Sequence, residues 1–312
     1  MRIIEEKQVR ELVSAGKCVE LMKEALMGME QGIYDMPPRL LCKMPNTATF
    51  AFMPAYAGDF FGAKVITAYG PNAGTEYPTH MGYVMLFESE HCSVAGLVDA
   101  TAVTEIRTGA VSAAATDALA RTDAHKLAII GAGAQARSHV AAIRTIREIT
   151  ELSVYDLRKE AAVQFAKEIE AAYGLSVTIC ENVSETVYDA DIICTLTPAI
   201  EAYLTKDMVK PGVHINAVGT FTPTTREVSS DLVSAAKLYA DQIDAMKKES
   251  GEYLIPLQEG MITEKHIVGT VGQVLLGQAP GRENEKEITL FSALGLAIED
   301  IACAKYAYEQ FK

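Results

Sequence analysis

The 312-residue chain is poor in the features that would assign it to a metal, membrane or nucleic-acid class. Its six cysteines (Cys18, Cys42, Cys92, Cys180, Cys194 and Cys303) are scattered and form no CxxC pair. Reduced, mostly buried thiols are therefore expected and no metal site is assigned. No run approaches the ~18 apolar residues of a membrane span, and no early segment has the basic, apolar, small-residue order of a signal peptide. A cytoplasmic protein without a membrane partner is the expectation. Cations are in deficit, 28 Lys and Arg against 41 Asp and Glu, for a net charge of −13. That balance argues against nucleic acid and anionic surfaces as partners, and an anionic small substrate would need a local basic pocket. Internal repeats and low-complexity tracts are lacking. What is plentiful is apolar material: 49% hydrophobic residues over this length suffices for two packed cores.

The most informative stretch is His125–Asp156. Leu127–Ile130 reads as a buried strand, followed at once by Gly131-Ala132-Gly133-Ala134-Gln135-Ala136, a fit to G-x-G-x-x-G/A. Helix-forming sequence continues to about Ile149, and a second strand, Leu152–Tyr155, ends on Asp156. Each position answers a demand of dinucleotide binding. Gly131 permits the tight turn, Gly133 lets backbone approach a pyrophosphate, and small Ala136 lets helix and strand pack closely. The helix start offers unpaired N–H groups to phosphate. Asp156 stands where an acid accepts hydrogen bonds from the adenosine ribose, and its charge favours NAD(H) over NADP(H). Arg158 stands where a 2′-phosphate binder would.

Taken in order, Ser14 caps a helix from Ala15 to about Gln31, with Val19, Met22, Leu26 and Met29 as its apolar stripe. Short strands with turn signals fill Leu40 to Leu97, a meander that implies a separate antiparallel α+β domain. Thr104 opens a helix over Glu105–Ala120, placing Arg107 in its first turn. Arg107 has Ala110 and Val111, not acids, at i+3 and i+4. It needs an anion from outside the helix, either a remote carboxylate of the chain or the carboxylate of a substrate. Strand–helix alternation from 126 to 241 then predicts a doubly wound parallel sheet, the Rossmann arrangement of an α/β protein. Its strand ends, Thr195–Pro198 and Ala217–Thr220, should face the ligand crevice. A last helix, about Leu296–Gln310, returns to the first domain. The expected division is 1–117 with 296–312 for substrate binding and dimerisation, and 118–295 for the dinucleotide.

In combination, MPPR (36–39), MPA (53–55), GAKV (62–65), EIRTGA (105–110), GAGAQA (131–136), INAVG (215–219) and TLFSALGLAIEDIA (289–302) resemble the ornithine cyclodeaminase/μ-crystallin family. The likeness runs from Met36 to about Ala304. It implies a Rossmann domain beside an antiparallel domain that makes a homodimer. The activities it implies are cyclodeamination, alanine dehydrogenation or reduction of cyclic ketimines such as Δ1-pyrroline-2-carboxylate. Carried over by position, the resemblance makes Arg39 and Arg107 clamps for a substrate carboxylate and sets Lys64 near the reacting nitrogen. It also puts His80 where the μ-crystallin branch has an active-site histidine. Gly131, Gly133, Ala134, Gln135 and Asp156 would hold the dinucleotide, with Thr195, Val218, Gly219 and Gly295 near the nicotinamide.

The chain departs from the family pattern after INAVG. Cyclodeaminases carry an aspartate there that takes part in ring closure; here Phe221 stands in its place, in Gly219-Thr220-Phe221-Thr222-Pro223. Ring closure needs positioned acid/base groups, commonly worth about 10²–10⁴ in rate, and Phe221 supplies none. Reduction of a preformed 2-imino acid needs only a carboxylate clamp, an apolar wall and a proton donor, Lys64 or His80. The reductase therefore ranks above ornithine cyclodeaminase. A non-catalytic nucleotide-binding protein ranks below both, since a pure binder has little need of Arg39, Lys64 and Arg107 together.

Overall fold

A computed structural model describes every residue except Ala73 and divides the chain into two compact units. The first comprises Met1–Thr108 and Gly295–Lys312, the second Gly109–Leu294. The division lies inside the helix Ala100–Leu119, nine residues before the boundary expected from sequence. The cause is local: Gly109 meets the backbone of Ser138, where a Cβ would come within 2.5 Å. The second half of that helix therefore belongs to the second unit.

The first unit is built on a six-stranded sheet of β1 (Arg2–Ile4), β2 (Leu40–Lys43), β3 (Thr49–Ala57), β4 (Phe60–Ala68), β5 (His80–Glu88) and β6 (Val94–Asp99). Spatial order is β1-β6-β5-β4-β3-β2. The expected meander accounts for β2 to β6, which pair antiparallel. β1 adds a parallel edge through Arg2↔Gly96 to Ile4↔Val98, so the sheet is mixed. Its three residues are too few to carry a period, which is why the sequence does not announce it. Along β3 the two-residue alternation is plain: Ala51, Met53, Ala55 and Ala57 are buried, while Phe52 and Tyr56 are exposed. The buried face receives the helix Ala297–Gln310, which in turn packs on Ala15–Glu30, capped by Ser14 as expected.

The helix Ala100–Leu119 begins earlier than Thr104 suggests, because Asp99 Oδ1 accepts the Ala102 N–H at 2.8 Å. Arg107 thus sits in the helix interior rather than in its first turn.

The second unit is an eight-stranded, wholly parallel sheet: β7 (Lys126–Ile130), β8 (Glu151–Tyr155), β9 (Val177–Ile179), β10 (Ile192–Thr195), β11 (His214–Ala217), β12 (Ala236–Ala240), β13 (Ile267–Thr270) and β14 (Ile288–Ser292). Its order is β13-β12-β14-β11-β10-β7-β8-β9. β10 and β11 are buried along their whole length, the mark of strands covered on both faces. The expected doubly wound architecture is found, with β13 and β14 added. The chain order reverses beside β7, which has β8 on one side and β10 on the other. Ligands of such sheets bind outside the carboxyl ends at that switch point.

Candidate functional site

In the second unit the glycine turn leaves β7 at the switch point. Gly131 has φ +98°, and a Cβ there would lie 2.7 Å from the Leu196 carbonyl oxygen beyond β10. Only glycine combines that backbone with that approach. Gly133 has nothing within 4 Å of a would-be Cβ, so its backbone is open to a ligand. Ala134 starts the helix Ala134–Ile143, Gln135 lies in its first turn and Ala136 is fully buried. This open turn leading into a helix start fits a dinucleotide pyrophosphate. Asp156 Oδ2 accepts the Ala132 N–H and Oδ1 accepts the Arg158 N–H, both at 2.8 Å. The acid at the end of β8 therefore braces the glycine turn while keeping its charge beside it. The Arg158 side chain is largely exposed, its Nε 3.9 Å from Asp156. Arg137, which the sequence reading passed over, donates to the Ala132 and Gly133 carbonyls at 2.7 and 2.8 Å and pairs with Glu168 at 2.6 Å.

Thr195 ends β10, fully buried, and the Val218 and Gly219 N–H groups both donate to its carbonyl at 3.1 Å. Phe221, farther along, is half exposed.

The first unit holds a buried charge cluster. Lys64 on β4 is 2% exposed, with Nζ 2.8 Å from Asp300 Oδ2 and 3.4 Å from Thr104 Oγ1. Arg107 donates from Nε to Asp300 Oδ1 at 2.9 Å and from Nη1 to Glu299 Oε2 at 2.7 Å. Among the described residues its Nη2 donates to no side chain or carbonyl. Gly295, with φ +74°, makes the room: a Cβ would lie 2.7 Å from Arg107 Nη1. Burial pulls the Lys64 ammonium down, as does the Arg107 charge; Asp300 opposes both and the result is about 8. Burial also opposes the Arg107 charge, but Asp300 and Glu299 outweigh it and hold the guanidinium ionised. With Lys64 protonated, the two cations and two carboxylates sum to zero.

Sequence reading left open whether Arg107 meets a remote carboxylate or a substrate. The structure supplies two remote carboxylates. Neither was singled out, although both stand in the family-like segment Ile298-Glu299-Asp300-Ile301 and Arg107 lacked an acid of its own turn. Arg39 directly precedes β2, two strands from Lys64, and is half-buried. His80 opens β5 opposite Ala68, four residues from the Lys64 partner Val84. The residue is exposed, but its ring is partly desolvated and, with the nearby Lys64 charge, is held below the usual histidine value.

The family model described as ornithine cyclodeaminase/mu-crystallin matches residues 2–312. The chain belongs to that family. A Δ1-pyrroline-2-carboxylate reductase of Bacillus cereus is 34% identical over 314 residues, covering 99% of this chain and 96% of the relative. The structure of the Thermococcus litoralis Δ1-pyrroline-2-carboxylate reductase, solved with NADH and L-proline, superposes with a TM-score of 0.96. It is 33% identical, with 99% and 97% of the two chains covered. An archaeal alanine dehydrogenase dimer with bound NAD has a TM-score of 0.93 and 30% identity over 99% of this chain and 95% of that one. For a member of this family, the fold class and the kinship read from the motifs are borne out.

Proposed function

We propose that the chain is a nicotinamide-dependent reductase of 2-imino acids, running in reverse as an amino acid dehydrogenase, with NAD(H) as its cofactor. The observation that carries this reading is the single carboxylate of Asp300, which grips Lys64 through one oxygen and Arg107 through the other. The two side chains assigned to the substrate are thereby fixed to each other. A bound nicotinamide supplies or receives the hydride; the remaining work falls to residues of the chain. Arg107, pinned through Nε and Nη1, keeps Nη2 for a substrate carboxylate, and a charge-assisted bond of that kind fixes orientation as well as affinity. Arg39 is assigned as the second clamp. Lys64 holds a proton at Nζ near neutrality and is assigned as its donor to the imine nitrogen, with His80 in a supporting role.

The cluster's neutrality bears on substrate class. A monocarboxylic imino acid with an unprotonated imine adds one negative charge, which Arg39 balances, whereas a dicarboxylic imino acid adds a second anion that needs a further cation. Preference for NAD(H) rests on Asp156, whose fixed negative charge opposes a 2′-phosphate. Phe221 at the cyclodeaminase aspartate position argues against ring closure.

The same reading includes a homodimer. The outward face of the six-stranded sheet carries Phe52 and Tyr83 on either side of Val65, and Met85 beside Ala63 in the next row. Phe52 is 39% exposed and Tyr83 and Met85 each 36%, an apolar patch of the kind a second copy covers.

The test follows NADH absorbance with a panel of imino acids. Cyclic five- and six-membered monocarboxylates should be reduced and dicarboxylic analogues poorly or not at all. Proline and ammonia formed from L-ornithine without net loss of NADH would instead establish cyclodeamination, and inertness throughout would leave only a binder.

A further inference from the structure

Glu227 lies in the second unit, fully buried in the segment between β11 and β12, and no Lys or Arg pairs with it among the described residues. Its carboxylate nonetheless accepts five hydrogen bonds at the carboxyl edge of the sheet. Oε2 accepts the Thr195 hydroxyl at 2.7 Å and the Gly219 N–H at 2.8 Å. Oε1 accepts the Thr197 N–H, the Thr197 hydroxyl and the Tyr203 hydroxyl, each at 2.7 Å. One side chain thus ties together the end of β10, the chain after it and the chain after β11. Gly219 fits closely under this arrangement, since a Cβ would lie 2.2 Å from the Thr197 carbonyl oxygen and 2.7 Å from Glu227 Oε1. Behind it, Glu252 is 1% exposed and accepts the Glu227 N–H at 2.7 Å and the Val228 N–H at 3.2 Å. Burial first, and the neighbouring Glu227 charge, push the Glu252 carboxyl up to about 8.

We infer that Glu227 is a positioning residue for the nicotinamide half of the cofactor, holding the carboxyl ends of β10 and β11 in the shape that half requires. The inference rests on the reductase reading and adds to it a residue that reading does not use. Glutamine cannot replace it. Each carboxylate oxygen faces a backbone N–H, Gly219 on one side and Thr197 on the other, and neither can turn away as a hydroxyl can. Whichever way a glutamine amide were placed there, its NH2 would oppose one of them: toward Thr197 it would take away the acceptor of that part-buried N–H, and toward Gly219 it would leave only the 3.1 Å bond to the Thr195 carbonyl.

The experiment titrates the full-length protein with NADH and, separately, with ADP-ribose, which keeps the pyrophosphate and adenosine but lacks the nicotinamide. Calorimetry reads both without turnover. In Glu227→Gln the NADH dissociation constant should rise about tenfold or more while that for ADP-ribose stays within about twofold. Tyr203→Phe, which removes one donor from Oε1, should shift NADH in the same direction by a smaller factor, and it decides the matter if Glu227→Gln does not fold. Equal weakening of both ligands would reduce Glu227 to general support of the fold, and no weakening of NADH would remove its role; either overturns the inference. Wild-type protein that fails to bind NADH would condemn the reductase reading itself, whereas wild-type binding without the split condemns only the role of Glu227.

Discussion

At the scale of single residues, the decisive fact is that Lys64 is buried and shares a carboxylate with Arg107. Removing Asp300 would leave the buried Lys64 without its carboxylate and Arg107 with Glu299 alone, a loss on the order of 3–5 kcal/mol for breaking such a pair. A functional consequence follows from protonation. The Lys64 amine is pulled down to about 8, so below that pH the group carries the proton it is assigned to give, and above it the proton is lost. In the free enzyme, kcat/KM for imine reduction should therefore fall as pH rises through about 8. The substrate imine also titrates, so the comparison uses five- and six-membered cyclic imines. A limb belonging to Lys64 keeps its midpoint with both substrates; a midpoint that moves with the ring belongs to the imine and removes Lys64 from that limb. For stability the sign is the opposite one. A lysine depressed on folding favours the folded state most above its unfolded value of about 10.5, and that contribution is lost as pH falls through about 8.

Elements differ in how far their sequences reveal them. The strand–glycine turn–helix–strand–acid unit was legible because each part answers a separate physical demand, and the structure gives Gly131 the positive φ and the close strand contact such a turn needs. β2 to β6 were legible through turn signals and alternation. β1 was not, being three residues whose role is fixed by pairing with β6 nearly a hundred positions away. β14 was hidden for another reason: Ile288–Ser292 is a short apolar run that could equally begin a helix, and its neighbours β11 and β12 alone decide the matter. At the site, Arg107 drew notice as a cation with no acid in its own turn, and Lys64 through the family-like GAKV segment. Their partners Glu299 and Asp300 did not, because acids in the first turn of a helix have an ordinary explanation in the helix dipole. Glu227 was invisible for a similar reason. It follows Arg226 in a polar loop, and only the folded sheet brings Thr195, Thr197 and Gly219 onto it.

For the whole molecule, the outward face of the six-stranded sheet sets the proposed assembly. Phe52, Tyr56, Met81, Tyr83 and Met85 are each more than a third exposed and alternate with residues buried under the C-terminal helix. Met85→Glu would place a charge in the centre of this patch, opposite Ala63. Light scattering should then find a dimer for the wild type and a folded monomer for the variant; a wild-type monomer, or a variant that stays dimeric, removes this face from the interface. Net charge −13 leaves the surface acidic, so an anionic substrate gains little from long-range steering and depends on the local cations of the buried cluster. That makes the cluster the centre of the account. Its most direct test measures, on one preparation each of wild type and Lys64→Met, NADH affinity and the rate of NADH oxidation with Δ1-pyrroline-2-carboxylate. The account predicts similar NADH affinity in both and turnover only in the wild type; a Lys64→Met protein that reduces the imine at the wild-type rate would contradict it.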